Sequence, residues 1–149
     1  MALETAGVEF SVHEYDRGED LRDFGREAAE ALGLPHDQVF KTLLVDVDAT
    51  LVVAVAPVSS RLSMKRVASA VGGKRASMCE PERAERTSGY VVGGISPFGQ
   101  RRTLPTVVDE TAELFDVVYV SGGRRGMDLG VAPTVLIDLL DAVLAPITA

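Results

Sequence analysis

Residues 41–57 read Lys-Thr-Leu-Leu-Val-Asp-Val-Asp-Ala-Thr-Leu-Val-Val-Ala-Val-Ala-Pro, and the fold turns on how they are interpreted. Two β-branched, apolar runs, Lys41 to Val47 and Leu51 to Pro57, flank an Asp48-Ala49-Thr50 break suited to a hairpin turn, which predicts two central strands. Within the first run, Lys41 shares a period-2 face with Leu43, Val45 and Val47, so a strand here turns a cation toward apolar neighbours. Burial without a partner disfavours an ammonium. Lys41 must therefore be paired, bound to a ligand, or snorkelling to water from the strand end, and position alone favours the last.

On the N-terminal side, Val8, Phe10 and Val12 alternate with Glu9, Ser11 and His13, the period of a strand ending near Tyr15. The outward parity of His13 and the turn position of His36 make both surface residues. Phe24 to Leu32 has helical spacing and is stopped by Gly33 and Pro35. On the C-terminal side, Ser63 caps a helix from Met64 to Val71 that Gly72-Gly73 ends. A short strand at Ala76–Met78 and a helix opened by Pro81 follow. Short strands are predicted at Tyr90–Val92, Thr106–Val108 and Val117–Val120. A helix from Pro133 through Leu140 precedes a closing strand at Ala142–Ile147, placed at an edge by Pro146. Short strands mixed irregularly with about four helices predict an α+β fold with a mixed sheet.

The chain has 149 residues, of which 46% are hydrophobic, and a net charge of -7. That length and composition predict one domain, residues 1–149, with a core needing no staples. The longest apolar run, Leu51 to Val58, is too short to span a membrane, and Glu4 stands where a signal peptide would be basic, so neither feature is expected. Cys79 is the sole cysteine, which excludes an internal disulfide and makes a reducing cytoplasm the expected compartment. With neither base nor depressed pKa in view, Cys79 reads as structural. His13 and His36 are the only histidines, so no metal and no cofactor are expected. Charge is uneven: residues 61–102 carry 9 basic and 3 acidic side chains, whereas residues 1–60 carry 4 and 12. Such a patch can face phosphates while the rest of the surface stays acidic. A solvated face is the plainer alternative.

Two glycine loops could carry chemistry. Gly93-Gly94-Ile95-Ser96-Pro97-Phe98-Gly99 allows positive φ and close approach of a ligand to backbone N–H groups, although a rigid structural turn would look similar. It is neither a P-loop nor a nucleophile elbow. In Ser121-Gly122-Gly123-Arg124-Arg125-Gly126-Met127-Asp128, Ser121 and Asp128 could orient a polar ligand while the arginines meet phosphate; a plain hairpin is the alternative.

Five segments in order resemble the YbaK-type aminoacyl-tRNA deacylases, relatives of the editing domain of bacterial prolyl-tRNA synthetases. They are Tyr15 in HEYD, Phe24-Gly25 opening FGREAAEALG, VFKTLLV around Lys41, TSGYVVGGISPFGQ from Thr87 to Gln100, and VSGGRRGMDL from Val120 to Leu129. The resemblance implies a mixed, mostly antiparallel and barrel-like sheet core with short surrounding helices. It implies catalytic roles for Lys41 and Gly94, and substrate contacts for Tyr15, Phe24, Thr42, Gly93, Pro97, Ser121 and Asp128. Arg101, Arg102, Arg124 and Arg125 become candidate tRNA contacts. The implied activity is trans-editing: removal of a mischarged amino acid from the tRNA acceptor end, with Cys-tRNA(Pro) the expected substrate and a prolyl-tRNA synthetase the expected partner. Backbone N–H groups of the Gly93-Gly94 loop suit a developing oxyanion. Water or, as the Cys-specific members imply, the substrate's own thiol would attack. The alternative is a non-catalytic module binding aminoacyl-tRNA, a nucleotide or a synthetase on the same fold. Two features depart from the pattern: Asp16-Arg17-Gly18-Glu19 replaces a histidine and proline found in many relatives, and only residues 1–7 precede the first predicted strand.

Overall fold

The computed structural model describes residues 2–16 and 24–149, with the side chains of Ala2, Thr5, Phe24 and Gly25 outside that description. The 41–57 segment forms the predicted hairpin, β2 (Phe40–Val47) and β3 (Thr50–Pro57). Its turn places Asp48 and Ala49 at positive φ, the backbone a two-residue antiparallel connection requires. Asp48 also accepts from the Lys74 and Arg75 backbone amides, at 2.9 and 3.0 Å, which pins the turn to the following chain.

Both faces of the hairpin are buried, which explains its nearly continuous apolar sequence. One face packs against α3 (Met64–Ala70): Val45, Val47, Ala54 and Ala56 lie under Val67 and Ala68. Ser63 caps that helix through the Arg66 amide. The other face, with Phe40, Val53 and Val55, meets a second sheet through Val118, Val120, Leu129 and Val131.

The five-stranded sheet has the order β4-β2-β3-β5-β8, with β4 (Ala76–Met78), β5 (Thr106–Asp109) and β8 (Val143–Ala145). It is antiparallel from β4 to β3 and parallel from β3 to β8. The second sheet is antiparallel with the order β1-β7-β6: β1 (Ser11–Glu14), β7 (Met127–Val131) and β6 (Val118–Ser121). Short helices surround them: α1 (Ala2–Ala6), α2 (Phe24–Leu32), α4 (Pro81–Ser88) and α5 (Pro133–Leu140). None among the described residues is long and apolar enough to cross a membrane.

The α+β class and the mixed, mostly antiparallel pairing agree with expectation; the barrel-like closure does not. The two sheets share a single parallel bridge, Val39 to Tyr119, and no closed barrel forms among the described residues. The strand predicted at Tyr90–Val92 is absent: Val91 and Val92 are exposed and the chain turns there, with the Gly94 amide donating to the Val91 carbonyl. Apolar residues without a neighbouring strand have no ladder to join. Conversely, β7 is not among the predicted strands; it pairs antiparallel with β6, so the Ser121–Asp128 glycine loop is a hairpin connection. The first strand is shorter than predicted, and Val8 and Phe10 reach the core from irregular chain.

Candidate active site

The site begins with a gap in a sheet edge. β4 pairs with only Val45–Val47 of β2, and the Cys79 amide extends that contact to the Leu44 carbonyl. At the other end, β6 comes alongside through the Val39–Tyr119 bridge. Between them, Lys41 to Leu43 have no strand on that edge among the described residues, and a cavity of about 440 Å³ opens there. Its walls are Phe40 to Leu44, then Met78, Cys79, Pro81 and Ala84 around the start of α4, Val92, Gly93 and Ile95 of the glycine loop, and Ser121 and Asp128 of the second sheet.

Backbone alternation decides what faces this gap. The Leu44 carbonyl bonds toward β4 and the Val39 carbonyl toward the β3 side, where it accepts from Val58. Even-numbered residues of β2 therefore turn their N–H and C=O groups to the open edge, and those of Thr42 face the cavity. The Thr42 side chain is 8% exposed, and its Oγ1 is buried with no hydrogen-bond partner. Lys41 lies on the opposite parity; its Nζ donates to the Ser60 carbonyl at 2.7 Å, and the residue is part of the cavity lining. This is a part-buried lysine held by a carbonyl rather than one snorkelling to bulk water.

The second sheet turns a polar face toward the cavity side. Asp128 is flanked in register by His13 on β1 and Ser121 on β6, so these three side chains share one face. His13 packs edge-on against Tyr119. It is half-buried on this face, which is turned away from the inter-sheet core. Asp128 is 4% exposed, and burial pushes its carboxyl up to about 6. Burial first, and then the charge of Asp128, raise the Tyr15 hydroxyl. Burial also raises the Cys79 thiol, which leaves it a weak nucleophile.

The glycine loop is pinned throughout. The Tyr90 hydroxyl donates to the Phe98 carbonyl at 2.6 Å, Val92 N–H to Glu85 Oε2 at 2.8 Å, and Gln100 Nε2 to the Ser96 carbonyl at 3.0 Å. Gly93 has φ +89° and lines the cavity. Gly94 is buried behind it, its N–H closing a turn on Val91 at 2.9 Å. A Cβ at Gly94 would lie 2.8 Å from Arg124 Cα, so the two glycine loops touch backbone to backbone.

Of the residues singled out in sequence, Lys41, Thr42, Gly93, Ser121 and Asp128 line the cavity. Tyr15 lines a second cleft of about 590 Å³ with Asp16, Arg124, Arg125 and Gly126. Arg124 is exposed and pairs with Glu14 at 2.9 Å. Arg101 and Arg102 are exposed at the end of the glycine loop. Gly94 and Pro97 are buried outside the cavity lining. The Phe24 side chain and the segment Arg17–Gly18–Glu19 lie outside the described residues. Sequence reasoning missed Leu44, Ala84 and Ile95, which carried only a core signal, and Cys79 as a wall residue.

Residues 19–139 match the aminoacyl-tRNA editing domain family. The chain is 35% identical over 147 residues to an Enterococcus faecalis protein named as a candidate Cys-tRNA(Pro)/Cys-tRNA(Cys) deacylase, EbsC, covering 98% of this chain and 89% of that one. It is 29% identical over 103 residues to a proline–tRNA ligase of Acidithiobacillus ferrooxidans, covering 69% of this chain and 18% of the ligase. A solved structure described as a candidate trans-editing enzyme for prolyl-tRNA synthetase superposes with a TM-score of 0.86 at 27% identity, covering 99% of this chain and 92% of that one.

Proposed function

The chain belongs to the aminoacyl-tRNA editing domain family, and from that premise and the cavity we propose that residues 1–149 act as one trans-editing deacylase that removes cysteine from Cys-tRNA(Pro) in the cytoplasm. The observation that carries this is convergence. Lys41, Thr42, Gly93, Ser121 and Asp128 come from separate stretches of sequence and line one cavity whose volume suits an aminoacyl-adenosine terminus.

The roles follow from chemistry. The reaction breaks the ester between the aminoacyl carbonyl carbon and a ribose oxygen of the terminal nucleotide, and that oxygen leaves with a proton. The attacking atom is a water oxygen, giving free amino acid, or the cysteine sulfur of the substrate, giving a cyclic thioester. The raised pKa of Cys79 argues against a protein thiolate as nucleophile. Charge builds on the carbonyl oxygen as it is attacked. The Gly93 end of the glycine loop is the part positioned to stabilise it, because the Gly94 N–H is already committed to its turn. Gly94 then serves by fixing the loop against Arg124 and Arg125. Lys41 supplies a cation for the phosphate linking the terminal nucleotide. Arg101, Arg102, Arg124 and Arg125 are contacts for the acceptor stem, and a prolyl-tRNA synthetase that presents the charged tRNA is the expected partner.

Lys41→Ala tests the central cation. Losing one charge-assisted phosphate contact should lower kcat/KM for Cys-tRNA(Pro) by about 30-fold. The readout is release of labelled cysteine, with circular dichroism confirming the fold. A variant as fast as wild type would remove Lys41 from the site.

A further inference from the structure

The cavity wall formed by β2, β6 and β7 carries a buried carboxylate beside neutral polar groups. The Asp128 carboxylate forms no hydrogen bond or ion pair among the described residues, although it is 4% exposed and lines the cavity. Thr42 Oγ1 is buried and unpartnered on the facing strand, and the Thr42 carbonyl turns to the same open edge. Ser121 Oγ accepts from the Gly123 amide, so its proton remains for another acceptor. Lys41 bonds to Ser60 from the opposite parity of β2.

A buried carboxylate, a carbonyl and a hydroxyl on the wall of one cavity are complementary to a small cation bearing several N–H donors. The aminoacyl ester carries such a group beside its reacting carbonyl. We propose that Asp128 and Thr42 form a subsite for the free α-ammonium group of the substrate, so that the site accepts aminoacyl-tRNA and rejects tRNA whose amino acid is N-acylated. This deepens the deacylase reading and rests on it. Its consequence is a boundary on the substrate class: peptidyl-tRNA and N-formylated initiator tRNA are excluded by chemistry as well as by size.

The test compares initial rates on Cys-tRNA(Pro) and N-acetyl-Cys-tRNA(Pro) for wild type, Asp128→Asn and Thr42→Val. Acetylation should slow wild type by about 10- to 100-fold, the range of a charge-assisted hydrogen bond. Asp128→Asn should be slowed by a similar factor on the free-amine ester, and acetylation should then cost it less than about threefold. Thr42→Val should show the same reduced sensitivity in smaller measure, which keeps the comparison available if the asparagine variant folds poorly. An equal acetylation penalty in wild type and both variants would mean that added bulk, not the ammonium, is being sensed, and would overturn the subsite. Wild type that cleaves both esters equally overturns the subsite and leaves the deacylase intact. If neither ester is cleaved, the deacylase reading fails and takes the subsite with it.

Discussion

Gly94→Ala is expected to lower kcat/KM for Cys-tRNA(Pro) by at least about 100-fold, because the new methyl group has only backbone to push against. Its Cβ would stand 2.8 Å from Arg124 Cα, 2.9 Å from the Arg124 carbonyl carbon and 3.0 Å from the Arg125 nitrogen. No rotamer change relieves those contacts, so the two loops must part by a substantial fraction of an ångström. Gly93 rides on one loop, and the other precedes Asp128, so the cavity wall shifts on both sides. Overpacking of this kind also costs about 1–3 kcal/mol of stability. Steady-state kinetics beside a denaturant titration separate the two effects. A variant within about threefold of wild-type activity would show that the loop contact does not hold the site.

Asp128→Asn is expected to stabilise the free protein at neutral pH while impairing turnover. Burial holds the carboxyl at about 6 instead of 3.8, so the folded chain binds its proton more tightly than the unfolded chain does. That contribution is fully present below about pH 4 and is lost as pH rises through about 6. The groups facing it are Tyr15 and His13 from the β1 side and Ser121 from β6, with Glu27 and Arg125 acting on Tyr15, and Lys41 belongs to the same cavity lining. A lift of this size corresponds to about 3 kcal/mol, and an amide that never ionises should retain most of it at pH 8. The melting temperature of Asp128→Asn should then exceed wild type by about 5–10 °C at pH 8 and converge with it near pH 4. A gap independent of pH would assign the effect to packing. A carboxylate kept despite such a cost is what a functional site leads one to expect.

Much of the fold was readable from local chemistry. The β2–β3 hairpin was visible because two apolar runs flank residues able to turn, and Asp48 and Ala49 do adopt the positive φ that the turn needs. The bounds of α2 matched residue for residue, since Gly33 at φ +67° stops it. What could not be read was pairing. Val91 and Val92 look like strand residues but have no neighbour, whereas Met127 to Val131, interrupted by Asp128 and Gly130, form the central strand of the second sheet. A β-propensity is realised only against a partner.

The site divides the same way. The parity of Lys41 was correct, yet the open edge beside it depends on β4 pairing no further than Val45, which no local pattern encodes. Gly94 was singled out for its amide, whereas its lack of a side chain is what the packing uses. His13 does lie on the parity opposite the Leu129 and Val131 face that meets the first sheet, and its edge-on contact with Tyr119 is a pairing that alternation along one strand does not name. Cys79 became a cavity wall through the short β4–α4 connection. The orphaned Thr42 hydroxyl has no sequence signal at all, since only the folded surroundings reveal that nothing meets it.

The most direct test of the account is the fate of the ester bond when wild-type protein meets Cys-tRNA(Pro), Ala-tRNA(Pro) and cognate Pro-tRNA(Pro) separately, with tRNA retention measured in the same samples. The account predicts catalytic loss of cysteine from Cys-tRNA(Pro) at substoichiometric protein, with the cognate ester left standing. Saturable retention of all three tRNAs with every ester intact would contradict it and make the protein a binding module on an editing-domain fold.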